Sequence, residues 1–287
     1  MESLKTALSL ALVNILFGLG YPIVKAILEK FDPGQWVFLR VTGTGLLLLL
    51  FFPRQIFSCL TKRTSLVWLF AASIFGIIVN QICFVEGLDR SIPAHSSIIN
   101  ATIPLQTLLL SRALGHEKFS PAKIGGILCG FLGIGVLLHL DQGFSGDPFL
   151  LGDFLTILNT LSYSIFLVIT RKKLSGVSPM TSLAWVTLFG IVGTGFYADW
   201  KLPLAEFPGL SLQMWLFILY IITFQSIVTY YFSFWALRRT HASHVAMYVY
   251  LQPLVATLIG FIFLGDIPTI RFFISAGLIL LGLILGS

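Results

Sequence analysis

The chain has 287 residues, of which 56% are hydrophobic and only 10% are charged, and its mean hydropathy is +0.93. Soluble globular domains carry about 25% charged residues, so this composition excludes a water-soluble globule and indicates that lipid surrounds most of the surface. The net charge of +6 comes without any basic cluster interleaved with aromatic residues, which argues against a nucleic-acid partner.

Ten apolar stretches follow one another along the chain, and a helix needs about 20 such residues to span a bilayer. We number them spans 1 to 10: 5–28, 34–53, 65–87, 92–112, 120–139, 149–170, 179–198, 212–236, 243–264 and 268–286. Span 1 is too long for a removable signal peptide and lacks its small-residue exit. The sequence therefore predicts an all-α integral membrane protein with ten transmembrane helices.

Helix starts are marked by a capping residue followed by proline. The pairs are Asp32-Pro33, Ser120-Pro121, Asp147-Pro148 and Ser178-Pro179. A carboxylate or hydroxyl accepts the unpaired N–H groups of the first turn, and proline at the first helical position has no N–H to leave unpaired. The connections are short, so consecutive helices should be antiparallel neighbours.

Lys and Arg residues predict the orientation, because cytoplasmic loops of membrane proteins are enriched in them. With the N-terminus in the cytoplasm, the inside segments hold twelve Lys and Arg residues and the outside segments hold five, while Arg40 lies within span 2. This distribution predicts that both termini are cytoplasmic.

The second half of the chain repeats the first at a weak level. A shift of 149 residues pairs Leu88 with Leu237, His95 with His244, Pro104 with Pro253 and Glu117 with Asp266, and a shift of 146 pairs Phe17 with Tyr163. Each half holds five spans, an odd number, so two copies in series must insert in opposite orientations. The sequence predicts an inverted repeat of two five-helix units, 1–142 and 143–287, as found in many transporters.

Several longer patterns support a family resemblance. FGLGYPIVK, FLR at 38–40 and ALGHEKFSPAKIGGILCGFLGIGVLL in the first half, with LSYSIFLVITRK and YYFSFWALRRTHAS in the second, resemble the EamA family of the drug/metabolite transporter superfamily. The resemblance implies ten helices in an inverted repeat, a central cavity lined mainly by helices 1, 3, 4, 6, 8 and 9, and export or exchange of small metabolites, often amino acids. The chain departs from the family pattern at Phe17 and Tyr163, where Trp is common, and at Asp266, where Glu is usual.

Polar and aromatic side chains recur on one face of six spans, as expected of residues that face the inside of a bundle. The candidate substrate-binding residues are Asn14, Tyr21, Asn80, Phe84, Ile99, Thr102, Gln106, Asn159, Tyr163, Gln225, Tyr230, Trp235, Tyr248 and Gln252. Together they predict an aromatic, hydrogen-bonding and largely uncharged cavity for an organic substrate with a polar head and an apolar body. For any single residue the alternative is a contact that holds helices together.

Pro104 and Pro253 occupy equivalent positions within spans 4 and 9. A proline inside a helix removes one backbone hydrogen bond and frees a carbonyl four residues earlier. We expect these two prolines, together with Pro22 in span 1, to act as hinges or gates. The alternative is a kink that packing alone satisfies.

Two charged side chains within the spans, Glu86 and Arg40, are candidate functional groups. Glu86 is a candidate coupling carboxylate for a proton or cation, or else an interfacial partner for Arg90 one turn later. Arg40 is a candidate for binding a substrate carboxylate, or else its side chain extends to the outer interface. His95 and His244 begin equivalent helices and are more consistent with interfacial caps than with metal ligands.

These observations favour a secondary transporter, in a bacterial inner membrane, that exports or exchanges amino acids or related amphipathic metabolites, coupled to a proton or a counter-substrate. The alternatives are an integral-membrane enzyme that acts on lipid-soluble substrates and a passive channel. The sequence has no GxxxxGK[ST] loop for ATP, and its three cysteines have neither disulfide nor metal spacing, so we predict no cofactor. Monomer and homodimer remain equally open.

Overall fold

The computed structural model describes residues 2–54, 63–91, 96, 99–118, 120–137, 150–263 and 270–286, and every regular element within them is helical. Their helices, in chain order, are α1 (Glu2–Leu28), α2 (Pro33–Phe51), α3 (63–90), α4 (Ile103–Ala113), α5 (Pro121–Leu137), α6 (Leu150–Lys173), α7 (Pro179–Tyr197), α8 (212–237), α9 (242–263) and α10 (Ile270–Gly286). A 3₁₀ helix, Leu204–Gly209, precedes α8. The all-helical prediction is confirmed for this part of the chain.

The longer helices match the dimensions of a bilayer. Within the described residues, seven helices are long and apolar enough to cross a membrane, and two shorter apolar helices cover Pro121–Val136 and Ile270–Leu285. Large apolar side chains point outward from them, including Leu50 at 71% exposure and Leu212 at 76%. Outward apolar surface of this extent requires lipid as its solvent.

Three of the helices change their hydrogen-bonding pattern along their length. In α3, a π-helical segment, Ile74–Ile78, joins the α-helical parts Arg63–Ser73 and Val79–Arg90. In α8, a π-helical segment, Ile221–Val228, joins Leu212–Tyr220 and Thr229–Leu237. In α9, a 3₁₀ turn, Tyr248–Tyr250, joins Ala242–Met247 and Leu251–Phe263. Shifting Ile74–Ile78 by 149 residues gives 223–227, which lies inside the π-helical segment of α8. Such segments are uncommon and occur often at functional sites.

Both prolines of the predicted repeat lie just after a break in their helix. Pro104 is the second residue of α4, after a turn at Ala101 and Thr102, and Pro253 is the third residue of Leu251–Phe263. The break precedes each proline because the ring has no N–H to donate and clashes with the carbonyl four residues earlier. Pro22, in contrast, lies inside the continuous helix α1.

Two of the predicted helix starts are visible in detail. The Asp32 carboxylate accepts hydrogen bonds from the backbone N–H groups of Gly34 at 3.0 Å and Gln35 at 3.1 Å, directly before α2. The Ser178 hydroxyl accepts the N–H of Thr181 at 3.1 Å at the start of α7. These two caps confirm the corresponding sequence predictions.

Helix packing brings the two halves of the chain against each other. Helices α5 and α10 pack along their length, α2 packs on α7, α3 and α4 pack on α6, and α1 packs on α8 and α9. The α5–α10 contact depends on glycine, because a Cβ on Gly282 would lie 2.6 Å from the Gly126 carbonyl oxygen. This close approach positions two apolar helices beside the central bundle.

Candidate functional site

A central pocket lies where seven helices meet. Its empty space, including the solvent at its opening, is about 530 Å³. Its lining residues are Phe17, Tyr21, Arg40, Asn80, Gln81, Phe84, Asn100, Ile103, Asn159, Tyr163, Gln225, Tyr230, Val249 and Gln252. Helices α1, α2, α3 and α4 of the first half and α6, α8 and α9 of the second half all contribute.

One hydrogen-bond chain in this pocket joins α1 to the broken helices. The Asn100 amide donates to the Tyr21 hydroxyl at 2.8 Å, and that hydroxyl donates to Gln252 Oε1 at 3.2 Å. Gln252 Nε2 in turn donates to Asn14 Oδ1 at 2.8 Å. Asn14 therefore orients Gln252 from behind, while Tyr21, Asn100 and Gln252 remain at the pocket wall.

A second network surrounds the guanidinium of Arg40. Its Nη1 donates to Gln81 Oε1 at 2.7 Å and its Nε donates to Ser226 Oγ at 2.9 Å. Gln81 Nε2 donates to the Tyr230 hydroxyl at 2.9 Å, which donates to the Gly76 carbonyl at 2.8 Å. This network ties α2 to the π-helical region of α3 and to α8.

The amides of Asn80 and Asn159 connect α3 to α6. Asn159 Nδ2 donates to the Asn80 carbonyl at 2.9 Å, and Asn80 Nδ2 lies 3.4 Å from the Asn159 carbonyl. Both residues are 5% exposed and line the pocket. Buried amides that satisfy each other across two helices hold them at a defined spacing.

Aromatic rings form the apolar part of the wall. Tyr21 and Phe84 meet edge to face with their centroids 5.5 Å apart, and Phe17 meets Tyr230 edge to face at 6.3 Å. Helix α1 comes close to α9 at Gly18, where a Cβ would lie 2.8 Å from the Gln252 carbonyl oxygen and 2.9 Å from Val255 Cβ. The pocket therefore combines aromatic surface with buried amides and one guanidinium.

Many of the candidate residues from the sequence converge on this pocket. Those that line it are Tyr21, Arg40, Asn80, Phe84, Asn159, Tyr163, Gln225, Tyr230 and Gln252. That these residues bind a substrate stays a prediction.

The other candidates lie elsewhere. Gln106 faces α6, where its Nε2 donates to Thr160 Oγ1 at 3.1 Å and to Thr102 Oγ1 at 2.8 Å, and the Thr102 hydroxyl donates to the Ile99 carbonyl at 2.6 Å. Trp235 lies under the Arg239 guanidinium, 3.8 Å from its ring centroid, at the end of α8.

Tyr248 and Glu86 also lie away from the pocket lining. Tyr248 meets the ring of His244 at 5.4 Å, and His95 and Asp266 lie outside the described residues. Glu86 pairs with Arg90 and accepts the Tyr197 hydroxyl at one end of the bundle, and it does not line the pocket. In the described residues no group of His, Cys, Asp and Glu side chains could hold a metal ion.

A second cavity, of about 790 Å³, lies between loops at the end of the bundle that the Lys and Arg distribution predicts to be cytoplasmic. Arg171 and Arg238 cross-link these loops through the carbonyls of Leu237 at 3.1 Å and Ser175 at 2.9 Å. Glu117, beside this cavity, accepts the Ser243 hydroxyl, the Ser243 N–H at 3.3 Å and the Lys123 ammonium at 3.0 Å.

The ionisation of Glu117 reflects these contacts. Burial opposes ionisation, but the hydrogen bonds from Ser243 and Lys123 and the charge of Lys123 outweigh it and lower the pKa of Glu117 below 4.5. The ionised carboxylate joins the α4–α5 connection to the first turn of α9, where helical N–H groups lack partners of their own.

Sequence reasoning did not select Phe17, Gln81, Asn100, Ile103 or Val249 as site residues. Gln81 is 5% exposed and follows Asn80 directly, so it falls outside a stripe of every third or fourth residue. Asn100 and Ile103 flank the turn before α4, which changes the register of the predicted stripe. A polar residue next to a predicted helix break was the signal available for Asn100.

Known proteins resemble this chain over nearly its whole length. The EamA-like transporter family matches residues 4–139 and 150–287. Transporter YyaM of Bacillus subtilis (strain 168), itself described as uncharacterized, is 24% identical over 299 residues, which cover 100% of this chain and 95% of the relative. An uncharacterized transporter of Archaeoglobus fulgidus is also 24% identical, over 98% of both chains.

An inner membrane transporter and a solved structure are also similar to this chain. The uncharacterized inner membrane transporter YedA of Escherichia coli (strain K12) is 25% identical over 86% of this chain and 78% of its own length. A solved crystal structure has the same fold, with a TM-score of 0.78 at 19% identity over 99% of this chain and 95% of that one. Because the family match covers both halves of a chain built from apolar helices, this multi-pass membrane protein belongs to the EamA-like transporter family.

Proposed function

We propose that this chain is a secondary transporter that exports or exchanges small amphipathic metabolites by alternating access through the central pocket. Two five-helix units, 1–142 and 143–287, would be related as an inverted repeat and would tilt against each other around the bound solute. Membership of a transporter family makes the chain a transporter rather than an enzyme. The mode of transport and the class of solute are our proposal.

The observation that carries this proposal is the direct bond between repeat-equivalent residues at the pocket. Gln81 and Tyr230 are 149 residues apart, the same shift that pairs the two halves of the sequence, and Gln81 Nε2 donates to the Tyr230 hydroxyl at 2.9 Å. Asn100 and Val249 are also 149 residues apart, and both line the pocket. A site assembled from equivalent positions of both units is what an inverted repeat requires.

Helix packing supports the repeat independently. In the proposed repeat, α1–α5 correspond in order to α6–α10. The contact between α3 and α6 then corresponds to the contact between α8 and α1, and the contact between α4 and α6 corresponds to that between α9 and α1. All four contacts are present. The α2–α7 and α5–α10 contacts are converted into themselves. Two equivalent packings of this kind would provide two conformations of similar free energy, open to opposite sides.

Interrupted helices support a hinge at the pocket. The π-helical segments of α3 and α8 and the breaks before Pro104 and Pro253 lie at equivalent positions and close to pocket residues. Backbone with incomplete α-helical hydrogen bonding changes its dihedral angles at lower cost than a continuous helix. We therefore propose that these four points absorb the change when one side of the pocket closes and the other opens.

Location and orientation complete the proposal. We propose a bacterial inner membrane, by analogy with the inner membrane transporter YedA, and cytoplasmic termini. Three of the connections that the Lys and Arg distribution predicts to be inside, α4–α5, α6–α7 and α8–α9, border one cavity at one end of the structure. There Arg171 and Arg238 link α6–α7 to α8–α9. At the other end, the Ser91 hydroxyl, in a loop predicted to be outside, donates to the Asp153 carboxylate in the first turn of α6 at 2.5 Å.

Counterflow in proteoliposomes that contain only this protein tests the proposal. Purified protein is first screened for thermal stabilisation by amino acids, monocarboxylates, nucleosides and quaternary cations, and each hit is then loaded at high concentration inside the vesicles. We expect saturable uptake of labelled solute that unlabelled internal solute accelerates. Flux that does not saturate and shows no trans-stimulation would identify a passive channel instead, and no flux for any solute would contradict the proposal.

A further inference from the structure

Arg40 places a positive charge in the interior of the bundle, and none of the described residues is its acidic partner. Its side chain is 3% exposed and donates to Gln81 Oε1 and Ser226 Oγ, both of which are neutral. None of the ion pairs formed by the described residues includes Arg40. The alternative in which this side chain extends to the outer interface therefore differs from the observed geometry.

The guanidinium also lies at the boundary between two cavities. Arg40, Gln81 and Tyr230 line both the central pocket and a smaller adjoining cavity of about 270 Å³. Among the lining residues of the central pocket that the structure describes, Arg40 is the one charged side chain. Any solute in this pocket consequently meets a single, positive formal charge.

A buried guanidinium has strong preferences for what binds it. It stays protonated in proteins, and a charge buried without a counter-charge is costly within a membrane. A carboxylate provides the counter-charge and can accept two parallel hydrogen bonds from the planar group. Within the described residues, hydrogen bonds account for Nε and Nη1 of Arg40 and none involves Nη2, so one arm of the guanidinium is available to an acceptor.

We infer that the preferred occupant of the central pocket is a monocarboxylate of net charge −1 with an aromatic or apolar body, its carboxylate bound to Arg40. The inference rests on the proposed transport function and specifies its substrate class. An amino acid would bring the same carboxylate together with an ammonium group, for which the described lining residues provide no acidic partner. The anion should therefore be preferred over the zwitterion of the same shape.

A neighbouring acceptor suggests what the anion carries beside its carboxylate. Gln225 Oε1 is buried and accepts no hydrogen bond from any of the described residues, and Gln225 directly precedes Ser226, whose hydroxyl accepts from Arg40. A hydroxyl on the carbon next to the carboxylate could donate to this oxygen. The rings of Phe17, Tyr21 and Phe84 then provide apolar surface for the rest of the molecule.

Three probes of one shape separate the effect of charge from the effect of size. 3-Phenyllactate, phenylalanine and phenethylamine share the phenyl ring and its two-carbon arm, and at neutral pH they are an anion, a zwitterion and a cation. Trans-stimulated counterflow of each labelled probe is measured in proteoliposomes. We expect the uptake of phenyllactate to exceed that of phenylalanine at least about tenfold, equal to about 1.4 kcal/mol, and phenethylamine to show no flux.

Variants then test whether Arg40 causes the preference. Arg40→Gln retains a hydrogen-bonding side chain without charge, and Arg40→Lys retains the charge without the planar fork. We expect Arg40→Gln to lose phenyllactate flux at least about tenfold and Arg40→Lys to lose less, because the charge is the larger contribution. Arg171→Gln is the matched control, since it removes a cation that binds the Leu237 carbonyl outside the pocket.

The flux results distinguish failure of the inferred substrate class from failure of the proposed transport function. Phenylalanine or phenethylamine transported as well as phenyllactate by the wild type refutes the inference and leaves the transport function intact. Equal phenyllactate flux in Arg40→Gln and Arg171→Gln also refutes it. If Arg40→Gln does not fold, the wild-type charge series decides alone. Absence of flux for these probes refutes the inference, whereas absence of flux for every solute in the wider panel contradicts the proposed function as well.

Discussion

Glu117 offers the sharpest test of how the two halves are held together at one end of the bundle. Replacing it by alanine removes the acceptor of the Ser243 N–H, the Ser243 hydroxyl and the Lys123 ammonium in one step. Replacing it by glutamine keeps one acceptor oxygen and removes the charge. The side chain of Glu117 is 3% exposed and that of Lys123 is 20% exposed, so solvent screening reduces these contacts little.

The expected magnitude follows from these contacts. Hydrogen bonds to charged groups contribute about 1.5–3 kcal/mol each, and removal of one partner leaves the other without compensation. Because the three contacts share one carboxylate and are not additive, we expect Glu117→Ala to lose about 2–4 kcal/mol of unfolding free energy. At about 2–4 °C per kcal/mol for a chain of this size class, Tm should fall by roughly 4–16 °C, and Glu117→Gln should lose about half as much.

Thermal unfolding of the purified protein in detergent measures this loss, with Glu206→Gln as the control, because Glu206 is exposed on the 3₁₀ helix. A pH series adds a second readout. The pKa of Glu117 is lower in the folded protein than its unfolded value of 4.5, so its stabilising contribution is complete above that value and is lost as pH falls through the folded pKa. A Glu117→Gln variant as stable as Glu206→Gln, or a difference that grows on acidification, would refute this reasoning.

Two further predictions concern helix packing at the pocket. Gly18→Ala should lower the free energy of unfolding by roughly 1–3 kcal/mol, because the new methyl group overlaps backbone and side-chain atoms of α9. Gly125→Ala is the control and should not lower Tm, because no atom lies within 4 Å of the new Cβ. Equal effects of the two substitutions would contradict the close approach of α1 to α9. Asn159→Ala, which removes the 2.9 Å hydrogen bond to the Asn80 carbonyl, should slow counterflow about tenfold. Ser9→Ala is the control and should transport like the wild type, because the Ser9 hydroxyl bonds to the Lys5 carbonyl within its own helix, away from the pocket and the proposed hinges.

Hydrophobicity and helix-start signals predicted the all-helical class and several individual helices. The apolar stretches reproduce α1, α2 and α3 closely, and the caps at Asp32 and Ser178 form as the sequence predicted. These features depend on local interactions. A helix that spans a bilayer must be long and apolar enough to cross its hydrocarbon core, and the unpaired N–H groups of a first turn are stabilised by an acceptor side chain.

The pocket was predictable only in part, because its wall depends on register. A regular helical stripe identified Asn80 and Phe84, but it placed Thr102 and Gln106 with them, and these two side chains bond toward Ile99 and α6 instead. The turn before α4 rotates the following residues away from the periodicity of an unbroken helix. Breaks of this kind depend on tertiary packing, and a single sequence does not reveal them.

Access to the central pocket from both sides of the membrane tests the central claim most directly. A single cysteine is introduced by Phe84→Cys after the three native cysteines are replaced by alanine, and a membrane-impermeant maleimide is applied to either face of oriented vesicles. Val67→Cys, at a side chain that is 61% exposed on the outer surface of α3, is the lipid-facing control. We predict modification of Phe84→Cys from each face, with protection by transported solute, and modification from one face alone would contradict alternating access.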